Sequence, residues 1–162
     1  SADESQTETP TEALDAVAPE VLTNAAELVA DANGAQAQTD SGSVNVPSET
    51  DAPVQLSSNG VELEIYLPVS GASLVSDDDG AAVYSEVDGV STIVSPQADA
   101  GLVIATTLES STAPTRFDYE YPGLTLSPTG EGDVVGYDAS GEVAVFIGIP
   151  WAFDATGATV ET

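Results

Sequence analysis

The 162-residue chain contains no Cys, no Met, no His and no Lys, and its only cationic side chain is Arg116. Without cysteine there is no disulfide framework, no thiolate chemistry and no zinc finger. The missing His, Cys and Lys remove the common general bases, activated nucleophiles and Schiff-base amines, leaving carboxylates as the chain's main acid–base chemistry. No run approaches the 18 or so apolar residues of a membrane span, the most apolar stretch being Val143–Ile149.

Against the single cation stand 28 Asp and Glu residues and a formal net charge of -27, nearly all of it expressed above about pH 5. Such a charge repels nucleic acid and anionic membranes and favours divalent cations, basic proteins or water. The 41% hydrophobic content suffices for a real core, which argues against a disordered chain. With no methionine and a start at Ser1-Ala2-Asp3, the chain reads as a processed, secreted or cell-surface product.

Residues 1–55 have no aromatic residue and carry Pro at 10, 19, 47 and 53, so they read as an acidic arm ahead of a domain over 56–162. Within the arm, Thr9-Pro10-Thr11-Glu12 has the form of a capping box. Leu14, Val17, Val21, Leu22, Leu28 and Val29 then keep helical spacing, so one amphipathic helix is expected near 10–33, closed by Asn33-Gly34 and kinked or restarted at Pro19. Its apolar face, with Leu14, Val21 and Leu28, is a candidate contact surface for the chain's own domain or for a partner.

Beyond Val54 the period becomes two. Val61, Leu63, Ile65 and Leu67 alternate with Glu62, Glu64 and Tyr66. Further strands are predicted over 81–87, 90–94, 102–108, 116–121, 132–137 and 143–149, each bounded by Gly, Pro or Asp turn signals. Seven to eight short strands at this spacing predict an all-β, antiparallel sandwich or open barrel. In the stretch 116–121 Phe117, Tyr119 and Tyr121 are expected on one face, with Arg116 paired to a carboxylate on the next strand. Trp151 reads as a strand-end anchor in the core.

Tyr137-Asp138-Ala139-Ser140-Gly141 is echoed by Phe153-Asp154-Ala155-Thr156-Gly157. Each predicts a hairpin turn in which the Asp side chain accepts backbone N–H bonds and the Gly takes positive φ. The second hairpin has only Ala158–Thr162 as its return arm. Its strand is expected to leave an open edge, with Ala158 and Val160 as candidate contact residues.

For metals, Asp77, Asp79, Gly80 and Glu86 fall on the third, fifth, sixth and twelfth positions of an EF-hand loop whose first position is Val75, which no carboxylate fills. Asp77, Asp78, Asp79 and Glu86 are therefore candidate ligands for calcium at a non-EF site, against the plainer reading of a solvated turn. No other cofactor is implied. Asp40-Ser41-Gly42 has the letters of an aspartic-protease loop but lacks its apolar strand and a second copy, and no enzymatic activity is expected.

The segments Tyr119–Leu126 and Ile149–Gly157, with Val44–Pro47 and Val61–Pro68 upstream, resemble an uncharacterised domain of secreted actinobacterial proteins; the likeness spans about 44–160, and Pro-Trp-Ala-x-Asp-Ala-x-Gly is its most specific part. The resemblance implies a secreted Gram-positive source and little chemistry. Proteins of this kind continue beyond the point matching Thr162, which is where this chain departs. The function expected is an extracellular structural or assembly subunit that contacts its own copies or another extracellular protein. A calcium-binding surface module and an acidic inhibitor or decoy of a basic protein are the alternatives.

Overall fold

The computed structural model describes residues 8–99 and 101–162, and the chain divides into two compact units at Glu120/Tyr121. In the first unit the capping box forms as expected. The Thr9 N–H donates to Glu12 Oε1 at 3.0 Å, and the Glu12 N–H donates to Thr9 Oγ1 at 3.1 Å. Helix α1 (Pro10–Val17) stops at Ala18, which takes extended φ because Pro19 disfavours helical geometry at the residue before it. Pro19 opens a second, five-residue helix, α2 (Pro19–Thr23).

The single helix expected near 10–33 is thus corrected to two short ones ending ten residues sooner. After Thr23 the backbone turns to the sheet: the Ala26 N–H donates to Pro96 O at 2.8 Å and the Ala98 N–H to Asn24 O at 2.9 Å. Asn33-Gly34 closes a hairpin between β1 (Val29–Asp31) and β2 (Gly34–Thr39), not a helix. Gly34 has φ +139, and a Cβ there would lie 2.1 Å from Val46 O, so only glycine fits.

Nor is the described part of 1–55 an arm. The strands β1 and β2 continue into β3 (Gly42–Pro47), β4 (Val54–Ser58) and β5 (Val61–Ile65), an antiparallel meander in chain order. A second antiparallel sheet, in chain order, contains β6 (Leu74–Ser76), β7 (Ala82–Tyr84), β8 (Val90–Pro96) and β9 (Leu102–Leu108).

The two sheets share one core. Val44, Val46 and Val54 from the first join Ala82, Tyr84 and Val94 from the second, with Leu56, Leu102 and Ile104 against them. The Tyr84 hydroxyl crosses the sandwich and donates to Pro47 O at 2.6 Å. Alternate residues of the second sheet, Val83, Ile93, Val103 and Ala105, face the other way and meet Leu14, Ala18 and Val21 of the helices. This makes β8 buried throughout. The described residues therefore form the expected all-β antiparallel class, a sandwich with a short helical layer, and no sheet closes into a barrel.

Strands are more numerous than expected because several are three to six residues of small side chains. The predicted strand over 116–121 is reduced to one bridge, Glu120 with Tyr66. Arg116 reaches not a neighbouring strand but Asp118, two residues along, at 2.9 Å with both side chains exposed.

The second unit, Tyr121–Thr162, holds a three-stranded antiparallel meander of β10 (Thr125–Pro128), β11 (Val134–Tyr137) and β12 (Val143–Ile147). Its small core closes over Gly136, where a Cβ would lie 2.7 Å from Val145 Cγ1 and within 3.3 Å of Leu124 and Leu126 carbons. A side chain there would have no room.

Candidate contact surface

The two Asp turns match their expected design. In the first, Asp138 Oδ1 accepts the Ser140 N–H at 2.9 Å, the Ser140 hydroxyl at 2.6 Å and the Glu142 N–H at 3.0 Å. In the second, Asp154 Oδ1 accepts the Thr156 N–H at 2.9 Å, the Thr156 hydroxyl at 2.6 Å and the Ala158 N–H at 3.0 Å. Gly141 and Gly157 both take φ +86. The hydroxyl of Ser140 and then the Glu142 N–H hold the Asp138 carboxyl below the usual range, and the hydroxyl of Thr156 and the Ala158 N–H do the same for Asp154. The first turn joins β11 to β12. The second supports a hairpin with one bridge, Phe153 with Thr159, extended by the Val160 N–H donating to Ala152 O at 2.9 Å.

On β12 the register slips by one residue, Tyr137 pairing with Val143 while Gly136 pairs with Val145. This bulge places Val143 on the same face as Phe146, which pairs with Val135. That face is wet: Phe146 is 74% and Val143 46% exposed. Beyond the strand, Ile149 is 61% and Trp151 47% exposed, and the Trp151 ring stands 5.7 Å from that of Phe153. Trp151 is therefore not the buried anchor expected. Leu126 and Val160 add to the exposed apolar residues of this unit, whereas in the first unit Val29, Val61, Val75 and Leu108 are exposed at separated positions along the chain.

The residues singled out from sequence fare differently. Leu14 and Val21 are 3% and 6% exposed beneath the second sheet, and Leu28 packs against the sandwich core. As a partner surface they are withdrawn; the helix face docks on its own domain. Ala158 and Val160 are exposed and lie on the return arm of the short hairpin.

Asp77, Asp78 and Asp79 share one turn, with Asp78 and Asp79 in a 3-10 element and Asp79 at φ 58. Glu86 lies beyond β7, at that strand's opposite end. Among the described residues no group of three or more Asp, Glu, His or Cys is placed to hold a metal ion. The turn has a packing role instead: Gly80 is buried, with room for no Cβ against Ala25 and Ala26, and its carbonyl accepts the Ser95 hydroxyl at 2.8 Å.

Two open hollows of about 320 and 410 Å³ flank α1. The first is lined by Glu8, Thr9, Pro10, Ala13 and Thr107–Glu109, and the second by Thr11, Glu12, Asp15, Leu22, Thr23 and Asp79. Glu12 is committed to the helix cap, and its bonds to Thr9 hold its carboxyl below the usual range. General acid catalysis needs the opposite displacement.

No protein-family model, curated protein or solved structure matches the chain. The solvent-exposed apolar face and edge of the second unit are thus read from their own chemistry.

Proposed function

We propose that this is a non-catalytic structural or assembly protein that joins copies of itself through the second unit, in the secreted or cell-surface setting that the resemblance over 44–160 implies. The observation that carries this reading is the exposed set Val143, Phe146, Ile149 and Trp151 around an open strand edge. Val143 and Phe146 share one face of β12, with Ile149 and Trp151 just beyond the strand, and contiguous solvent-facing apolar side chains are the mark of a contact surface. The helix face, the other surface considered, is already buried. Against catalysis stands the composition, which lacks His, Cys and Lys.

Sedimentation velocity in 0.5 M NaCl tests this. The wild-type protein is expected to sediment as a dimer or larger species, and Phe146→Asp, at a largely exposed position, as a monomer with unchanged far-UV circular dichroism. A wild-type monomer at every concentration up to about 100 µM would sink the reading.

A further inference from the structure

Resting on that reading, we infer that the contact between copies is an antiparallel pairing of β12 with β12, making one six-stranded sheet from two three-stranded ones. The open edges differ in what they can accept. Of the edges in the first unit, β1 and β6 are three residues long, β1 ends in Asp31, and β5 carries Glu62 and Glu64. Within the second unit β10 ends in Pro128, which offers no N–H. By contrast β12 is five residues of apolar side chain without a charge or a proline, and Gly148-Ile149 extends the uncharged run.

Charge selects the direction. Glu142 immediately precedes β12 and no acid follows until Asp154. Parallel pairing of two copies would set the two Glu142 carboxylates on adjacent strands, about 4.8 Å apart in backbone spacing. An antiparallel pair with its axis between Val145 and Ile147 sends them to opposite ends, roughly 20 Å or more apart, beyond the Debye length of about 8 Å at physiological salt. Each Glu142 then falls near the Gly148–Pro150 stretch of the other copy, where there is no charge to meet. The carboxylates of Asp138 and Asp133 are turned into their own loops, Asp133 accepting the Thr129 hydroxyl. The Val143–Phe146 faces become continuous across the junction, where the Phe146 side chains of the two copies lie opposite one another on paired strands.

The remaining uncharged edge, β9, is the competitor. Its residues from Leu102 to Thr107 are half-buried, and Leu108 is its one exposed large apolar side chain. Pairing along β9 would therefore bury less new apolar surface.

Because the chain has no cysteine, a single introduced thiol can form a disulfide only with its copy. Val145→Cys, Phe146→Cys and Ile147→Cys, with Leu108→Cys at the exposed end of β9 as control, are oxidised in 0.5 M NaCl and run on a non-reducing gel. Disulfide dimer is expected to form fastest at one of the three β12 positions and at least tenfold more slowly at Leu108. Since Phe146→Cys trims the contact itself, Val145→Cys and Ile147→Cys keep the test open. Cross-linking as fast at Leu108, or none at β12 while wild-type protein still sediments as a dimer, overturns the β12 pairing and leaves the assembly reading standing. Monomeric wild-type protein removes both.

Discussion

Asp138 and Asp154 do for their hairpins what a dedicated capping residue does for a helix. One carboxylate oxygen in each case gathers two backbone N–H groups and a hydroxyl. Because the folded state holds both carboxyls below their ordinary range, the unfolded chain binds protons first as pH falls. Their contribution is thus fully present above about pH 4 and is lost as pH drops through the depressed native values. Amide exchange at Glu142 and Ala158 is expected to be slow at pH 5 and to accelerate below pH 3 beyond the intrinsic trend; Asp138→Ala should abolish the protection at Glu142 alone. Unchanged protection at Glu142 in that variant would remove the carboxylate from the account.

Among the elements, helix α1 is the one whose role changed most between sequence and structure. Leu14 is buried between Ile93 and its neighbours on the outer face of the second sheet. Leu14→Ala is expected to cost about 2–5 kcal/mol in urea unfolding while leaving sedimentation in 0.5 M NaCl unaltered, the reverse of Phe146→Asp. The capping box at Thr9 and the Asp-x-Ser/Thr-Gly turns were legible because a few adjacent residues complete each device. The end of the helix was not. Val29 and Ala32 continue the helical spacing by chance, and Asn33-Gly34 serves equally as a helix stop or a hairpin turn. Strand β2 was hidden by small side chains. Ala35 and Ala37 are buried while Gln36 and Gln38 are not, an alternation too weak in hydropathy to stand out. At the proposed contact surface, Val143–Ile149 is legible as a strand, but seven residues without polar alternation do not show which face meets solvent. The exposure of Phe146 follows from a sheet of three strands, too small to bury both, and strand count is a property no local window carries.

Taken whole, the proposed association would work against the molecule's own charge. Two copies at -27 each repel at long range, and salt shortens that range from about 30 Å at 0.01 M to about 3 Å at 1 M. Self-association is therefore expected to tighten at least tenfold between 0.05 and 0.5 M NaCl, read by sedimentation equilibrium. A basic partner would behave oppositely, loosening over the same interval. Weakening of the homotypic contact with salt would place ion pairs, not apolar surface, at the junction.

Every strand in the three sheets pairs with its neighbour in the chain, and in the second unit each pairing closes over a turn of a few residues. Contacts this local shorten the search for the native state: hairpins form in about 1–10 µs, and low contact order favours rapid folding. The second unit should acquire its sheet quickly, leaving the β12 edge formed while encounters with other copies are still slow and concentration-limited. Order of events, as much as charge, then keeps the exposed strand from pairing before its own sheet is complete.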